Sequence, residues 1–163
     1  TAAVVALTVT AACLLVVVAA RTWLFARHQQ SGARPPVASP VARTQAALVM
    51  LARTREMAFA ERDSALLAQV YLPGPLLQAD AALLARIVPA GCGLIGAHTV
   101  YRGTAVGGNE EHPVITTTAT LSPSRLMCAG SQAGSAPGVG PTGLRIELLR
   151  TAAGYRIAAQ RTV

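Results

Sequence analysis

"AERDSALLAQVYLPGPLLQAD", residues 60–80, decides how this chain folds. It gathers a Glu, two Asp, an Arg, a Ser and a Tyr, so it is either a reactive cluster or the joint between helices. Asp63 reads as an N-cap, its carboxylate accepting a free backbone N–H in the first turn of a short helix through Ser64, Leu66, Leu67 and Val70. Gly74 and Pro75 end that helix, and Pro75 suits the first turn of the next, where its missing N–H would have no acceptor. Glu61 and Arg62 point to solvent. Asp80 alone is left over. It falls on the same face as Leu76, Leu83, Leu84 and Ile87, an apolar stripe at helical spacing.

Upstream, residues 41–60 predict a helix with Leu48, Leu51, Ala52, Arg55 and Phe59 on one face. "PAGCG" at 89–93 terminates the third helix, and strand character begins. "LIGAHTVYR" (94–102) and "PVITTTATL" (113–121) are rich in β-branched residues. "SRLMCAG" (124–130) is a weaker strand. In "LRIELLR" (144–150), Leu144, Ile146 and Leu148 share a face. In "YRIAAQR" (155–161), Tyr155, Ile157 and Ala159 do so, with "TAAG" as the hairpin turn between the two. Residues 129–143, "AGSQAGSAPGVGPTG", read as a mobile low-complexity loop. Helices followed by an antiparallel sheet imply an α+β domain over 45–163, a curved sheet packed on helices with a cavity at its open end.

The N-terminal run "TAAVVALTVTAACLLVVVAA" carries no charge. Twenty helical residues rise about 30 Å, the thickness of a bilayer core. Arg21, Trp23 and Arg27 follow, suited to a membrane interface. We therefore expect a transmembrane anchor over 1–26 rather than a signal peptide, whose apolar region is shorter and follows a basic segment. A lipid-attachment site at Cys13 fails, because an apolar run follows it. Residues 27–44, rich in Pro, Ser and Gly, read as a linker.

All 14 basic residues are Arg, and the net charge is +7. The arginines are scattered singly with few aromatic residues to stack on, which argues against nucleic acid and for contact with an anionic membrane surface beside Arg21, Arg27 and Arg34. Cys92 and Cys128 are either a disulfide, if the domain is extracytoplasmic, or two small core residues. Arginines on the domain side argue against the outside placement, and a basic segment ahead of Thr1 would reverse that balance.

Several tempting patterns fail. "GVGPTG" (138–143) matches a dinucleotide fingerprint in letters, yet the required strand before it and helix after it are missing. Cys92, His98, His112 and Cys128 have zinc-binding atoms without zinc spacing, so no metal or other cofactor is expected. On one regular strand Cys92 and His98 would stand about 20 Å apart, too far for a nucleophile pair. Glu110, Glu111 and His112 form a solvated turn. Asp80 remains the one candidate catalytic residue, a general base facing a cavity; the competing role is a carboxylate tied to an Arg or a backbone N–H. Tyr71, His98 and Tyr101 are candidate cavity residues beside it.

"REMAFAERDSALLAQVYLPGPLLQADAALLARI", then "GLIGAHTVYR", and the closing "LRIELLRTAAGYRIAAQ" together resemble the nuclear transport factor two-like superfamily (cystatin-like, SnoaL-like), as found in actinobacterial-type membrane-anchored proteins. The match carries an "A-x-R-D-x-x-L-L-x-x-V-Y" turn and a "G-[WY]-[RK]-I" strand, here Gly154, Tyr155, Arg156 and Ile157. The resemblance implies a cone with a pocket. It covers isomerases, dehydratases and cyclases as well as binding and assembly modules, and no acid–base set carries over here. We expect a single-pass, membrane-tethered, non-catalytic binding or scaffolding module, extracytoplasmic rather than cytoplasmic, contacting a partner protein or a small apolar ligand, with a homodimer through the sheet as a further expectation. The alternative is a small-molecule isomerase or hydratase using Asp80.

Overall fold

The computed structural model describes residues 38–87 and 91–163. The anchor expected over 1–26 lies outside them. No helix among the described residues is long and apolar enough to cross a membrane.

Helix α1 spans Pro40–Glu61. Ser39 caps it, with Oγ accepting from the Ala42 amide at 3.1 Å, and Pro40 takes a first-turn position that needs no N–H donor. Residues 40–44 of the stretch expected as linker are thus helical. Its buried face carries Leu48, Leu51, Ala58 and Phe59. Arg62 ends the helix in the left-handed region at φ 65°. Helix α2, Ser64–Val70, begins at the expected cap: Asp63 Oδ1 accepts from Ala65 N at 2.8 Å. Tyr71 then turns extended, and the Leu72 amide donates to Ile157 O at 3.0 Å. Helix α3, Pro75–Ile87, starts on Pro75 and buries Asp80 and Leu84.

Seven strands follow: β1 Cys92–Ile95, β2 Thr99–Gly108, β3 Pro113–Leu121, β4 Ser124–Cys128, β5 Ser131–Ala136, β6 Val139–Thr151 and β7 Gly154–Thr162. They form two antiparallel sheets, β2-β3-β6-β7 and β1-β4-β5. The core joins Leu48 and Phe59 of α1, Leu67 and Val70 of α2, Leu84 of α3, and Ile115, Ile146, Leu148 and Ile157 of the larger sheet.

Three expectations change. The single strand 94–102 is two strands in different sheets, broken at residues 96–98, where Gly96 sits at φ 87°. The loop 129–143 is largely strand. Ala129 and Gly130, both at positive φ, turn β4 into β5, and β6 begins at Val139. Two positive φ values in a two-residue turn match the twist of a hairpin. Small residues hide this pairing from a pattern reading because they leave no apolar alternation. Two of the three glycines of "GVGPTG" serve close backbone contacts: a Cβ on Gly138 would stand 2.6 Å from Leu121 O, and one on Gly143 2.7 Å from Val163 O.

The third change bears on the cavity. Glu147 pairs with Ala159 and Leu148 with Ile157, leaving Ala158 as the extra residue of a bulge. A bulge shifts the alternation by one residue. Beyond it Gln160, not Ala159, takes the inward position, opposite Ile146.

Candidate functional site

Between the helices and one end of the larger sheet lies a cavity of about 330 Å³. The sheet contributes two cross-strand rows. Thr99, Leu121 and Val139 are register partners in one, and Tyr101, Ala119 and Thr142 in the next. Leu144, Ile157 and Gln160 complete that wall. The helices contribute Leu51, Ala52 and Arg55 from α1, Val70 and Tyr71 at the end of α2, and Leu76, Ala79 and Asp80 from α3. Ala79, Val139 and Gln160 are exposed at the rim, whereas Leu51, Tyr71 and Asp80 are buried.

Asp80 holds the polar centre of this wall. Arg55 Nε donates to its Oδ2 at 2.5 Å, and Nη2 donates to Oδ1 at 2.8 Å. The Tyr71 hydroxyl donates to Oδ2 at 2.8 Å. The two-point Arg–carboxylate fork fixes both side chains in direction as well as distance. The guanidinium carbon also lies 5.0 Å from the centre of the Phe59 ring, a cation–π placement. Side-chain exposure is 28% for Arg55 and 12% for Asp80, so the pair is largely withdrawn from water.

These surroundings set the protons. Burial disfavours the charge on Arg55, but the hydrogen bond and charge of Asp80, with Tyr71, more than offset it, and its affinity for the proton is raised. Burial pushes the Tyr71 hydroxyl well above its ordinary range; the Arg55 charge opposes this and Asp80 reinforces it. Burial also raises Tyr101, again against the charge of Arg55. Both phenols therefore keep their protons at neutral pH, and Tyr71 donates its own to Asp80.

The sequence-predicted residues separate. Tyr71, Asp80 and Tyr101 line the cavity together. His98 does not: it sits in the break between β1 and β2, exposed, with Nδ1 2.6 Å from Glu56 Oε2. The strand break that divides 94–102 is what carries it away. Cys92 and Cys128 are register partners in the smaller sheet and form a disulfide. That removes both from any zinc set and Cys128 from any nucleophile pair. No metal-holding cluster occurs among the described residues. Glu110 and Glu111 face Arg43 and Arg150 at the surface.

Arg55 and Gln160 are among the cavity residues that lay outside the sequence-based candidates. Arg55 was visible as a cation on the apolar face of α1, a position that needs a buried partner. Gln160 had no signal, because the bulge at Ala158 follows from register rather than composition.

No protein-family model matches this sequence, and no curated protein matches it. Solved structures do resemble the fold. The intermembrane space region of chloroplast protein ARC6 superposes with a TM-score of 0.57 at 14% identity, over 78% of this chain and 98% of that one. A cystatin-like-fold protein of unknown function from Nostoc punctiforme gives 0.44 at 13% identity, over 72% and 88%. A nuclear transport factor two-like protein with a cystatin-like fold from Novosphingobium aromaticivorans gives 0.41 at 16%, over 72% and 79%. The structural neighbours thus include proteins of the nuclear transport factor two-like, cystatin-like kind. The chain has an α+β fold of helices and antiparallel sheets.

Proposed function

We propose that this chain is a non-catalytic binding module whose cavity takes a small apolar ligand. One observation carries the reading: the carboxylate in the cavity wall is already committed. A general base needs an oxygen within reach of the proton it removes. Here the Asp80 oxygens accept three hydrogen bonds from Arg55 and Tyr71. The pair anchors α1 to α3, and the rest of the lining is mainly aliphatic. A largely apolar pocket with a few fixed polar groups is the usual form of a small-molecule site. An isomerase or hydratase built on Asp80 would have to break this arrangement first.

The placement we propose is the outer side of a membrane, with residues 1–26 as the tether. The Cys92–Cys128 disulfide supports an oxidising compartment. Contact with a partner protein belongs to the same reading, as an additional role of the domain surface.

The reading is tested by purifying the full chain from its own cells and identifying co-purifying small molecules by mass spectrometry. The comparison is Ala52→Phe, which fills the cavity from α1. A molecule retained by the native chain and lost from the filled variant is expected. Equal retention by both would remove the cavity from the function, and conversion of the molecule by the purified chain would replace the module with an enzyme.

A further inference from the structure

The face of the larger sheet turned away from the helices holds most of the unbalanced charge of the described residues. Ile115, Ile146, Leu148 and Ile157 face the core, so alternation along each strand sends the register rows between them outward. Four arginines stand on those rows: Arg102 on β2, Arg145 on β6, and Arg156 and Arg161 on β7. Glu147 is the one carboxylate beside them, 3.7 Å from Arg145 Nε. The remaining described residues hold seven arginines against six carboxylates, close to balance. Arg102, Arg156 and Arg161 make no ion pair among the described residues.

The arrangement costs stability. Arg145 and Arg161 are register partners, and like charges directly opposite oppose strand pairing. Anions lying over the face would relieve that repulsion. The residues between the arginines are small: Val100, Ala105, Thr116, Thr118 and Gly143. They offer a partner charge rather than the bulky anchors on which tight protein interfaces are built. A second copy of the same face fits badly, because its own arginines would oppose these.

Chain length favours a lipid layer as the source of the anions. Residues 27–39 are thirteen in number and span at most about 45 Å. A domain tethered through 1–26 therefore stays within reach of the bilayer at high effective concentration. Small attractions then suffice, and each basic residue beside an anionic surface adds one.

We propose that the outer face of the larger sheet docks on anionic phospholipid, with Arg102, Arg145, Arg156 and Arg161 meeting the headgroup phosphates. This inference rests on the membrane-tethered reading and is independent of the cavity.

The test uses the full chain in nanodiscs whose lipids carry a headgroup nitroxide, either phosphatidylcholine alone or phosphatidylcholine mixed with phosphatidylglycerol. Co-elution with the discs reports the tether. Line broadening of the Val100, Ala105 and Thr118 methyl groups reports approach of the outer face, and the Ile146 and Leu148 methyl groups report the inner face and the integrity of the fold. Outer-face broadening is expected in the mixed discs, weak in phosphatidylcholine alone and reversed by high salt. Arg161→Gln, at an exposed position, should lower the docked-to-undocked ratio about fivefold, the worth of one basic residue beside an anionic surface, and Arg102→Gln should do the same. Equal broadening in both lipids, or indifference to both variants, would mean that the tether alone brings the face near and would overturn the proposal. Outer-face methyl groups untouched in every disc but shifted by a soluble polyglutamate peptide would reassign the face to an acidic protein. The same groups shifting with chain concentration instead would reassign it to a second copy. A chain that does not elute with the discs would overturn the tether and the docking together, with the cavity reading left as it stands.

Discussion

Tyr71 and Asp80 meet across the joint between α2 and α3, the phenol donating to Oδ2 at 2.8 Å. The same Tyr71 bridges Ile157 of β7 through its backbone. One residue therefore couples both shorter helices to the larger sheet. Tyr71→Phe keeps the ring and deletes the bond. We expect a loss of about 1–2 kcal/mol of stability, the usual effect of leaving a buried polar partner short of one bond. Urea unfolding would show it as a lower midpoint at unchanged slope; an unchanged midpoint would contradict it.

Asp80→Asn removes the charge that faces Arg55. The guanidinium would remain in its largely buried place without a counterion, and the loss should be about 3 kcal/mol. Replacing both partners, Arg55→Met with Asp80→Leu, should recover most of that loss, because neither charge is then left behind. A double variant no more stable than Asp80→Asn would show that the fork is not the source of the effect.

Alkaline pH should weaken the fold. Tyr71 and Tyr101 both hold their protons more tightly folded than unfolded. The folded state therefore binds more protons than the unfolded state once pH passes the ordinary phenol value of 10.0. Stability from this source is complete below that value and is lost as pH rises toward the folded values. Urea midpoints should fall above pH 10, and the fall should be smaller in Tyr101→Phe. A flat profile would exclude this linkage.

The disulfide joins cysteines 36 residues apart. Closing a loop of that length restricts the unfolded chain by about 3–4 kcal/mol on the chain-entropy account. Cys92→Ser with Cys128→Ser should lower the melting temperature accordingly, and reductant should then have no further effect. A double variant that melts with the oxidised protein would set that account aside.

On the outer face of the larger sheet Arg145 stands directly opposite Arg161. Like charges at that spacing oppose pairing. Arg161→Glu should stabilise the fold by about 0.5 kcal/mol at low salt, with the gain shrinking at high salt as screening grows. A gain that persists in high salt would point to packing instead.

Much of this architecture was legible in residues 60–80. Asp63, Gly74 and Pro75 act locally, through one turn of backbone, so their roles follow from neighbours in sequence. Asp80 was visible for a related reason, as a charge on an apolar stripe. Its partner was harder, because the Arg55–Asp80 fork spans 25 residues and depends on how α1 crosses α3. The strands at 131–136 and 139–143 were hidden by glycine, serine and alanine, which pair through backbone without an alternating signature. His98 was misplaced because a two-residue preference for strand cannot reveal that the chain changes sheets at Gly96.

The bulge at Ala158 sets Gln160 in the rim with one extra residue in β7. Deleting Ala158 would restore regular alternation and keep Ala159 outward and Gln160 inward, because each would still face its present partner, Glu147 and Ile146. What the deletion removes is the added local twist of the strand. The mouth of this scaffold can therefore change shape through a single-codon deletion in β7 with no lining side chain exchanged, a route invisible to a comparison of substitutions alone.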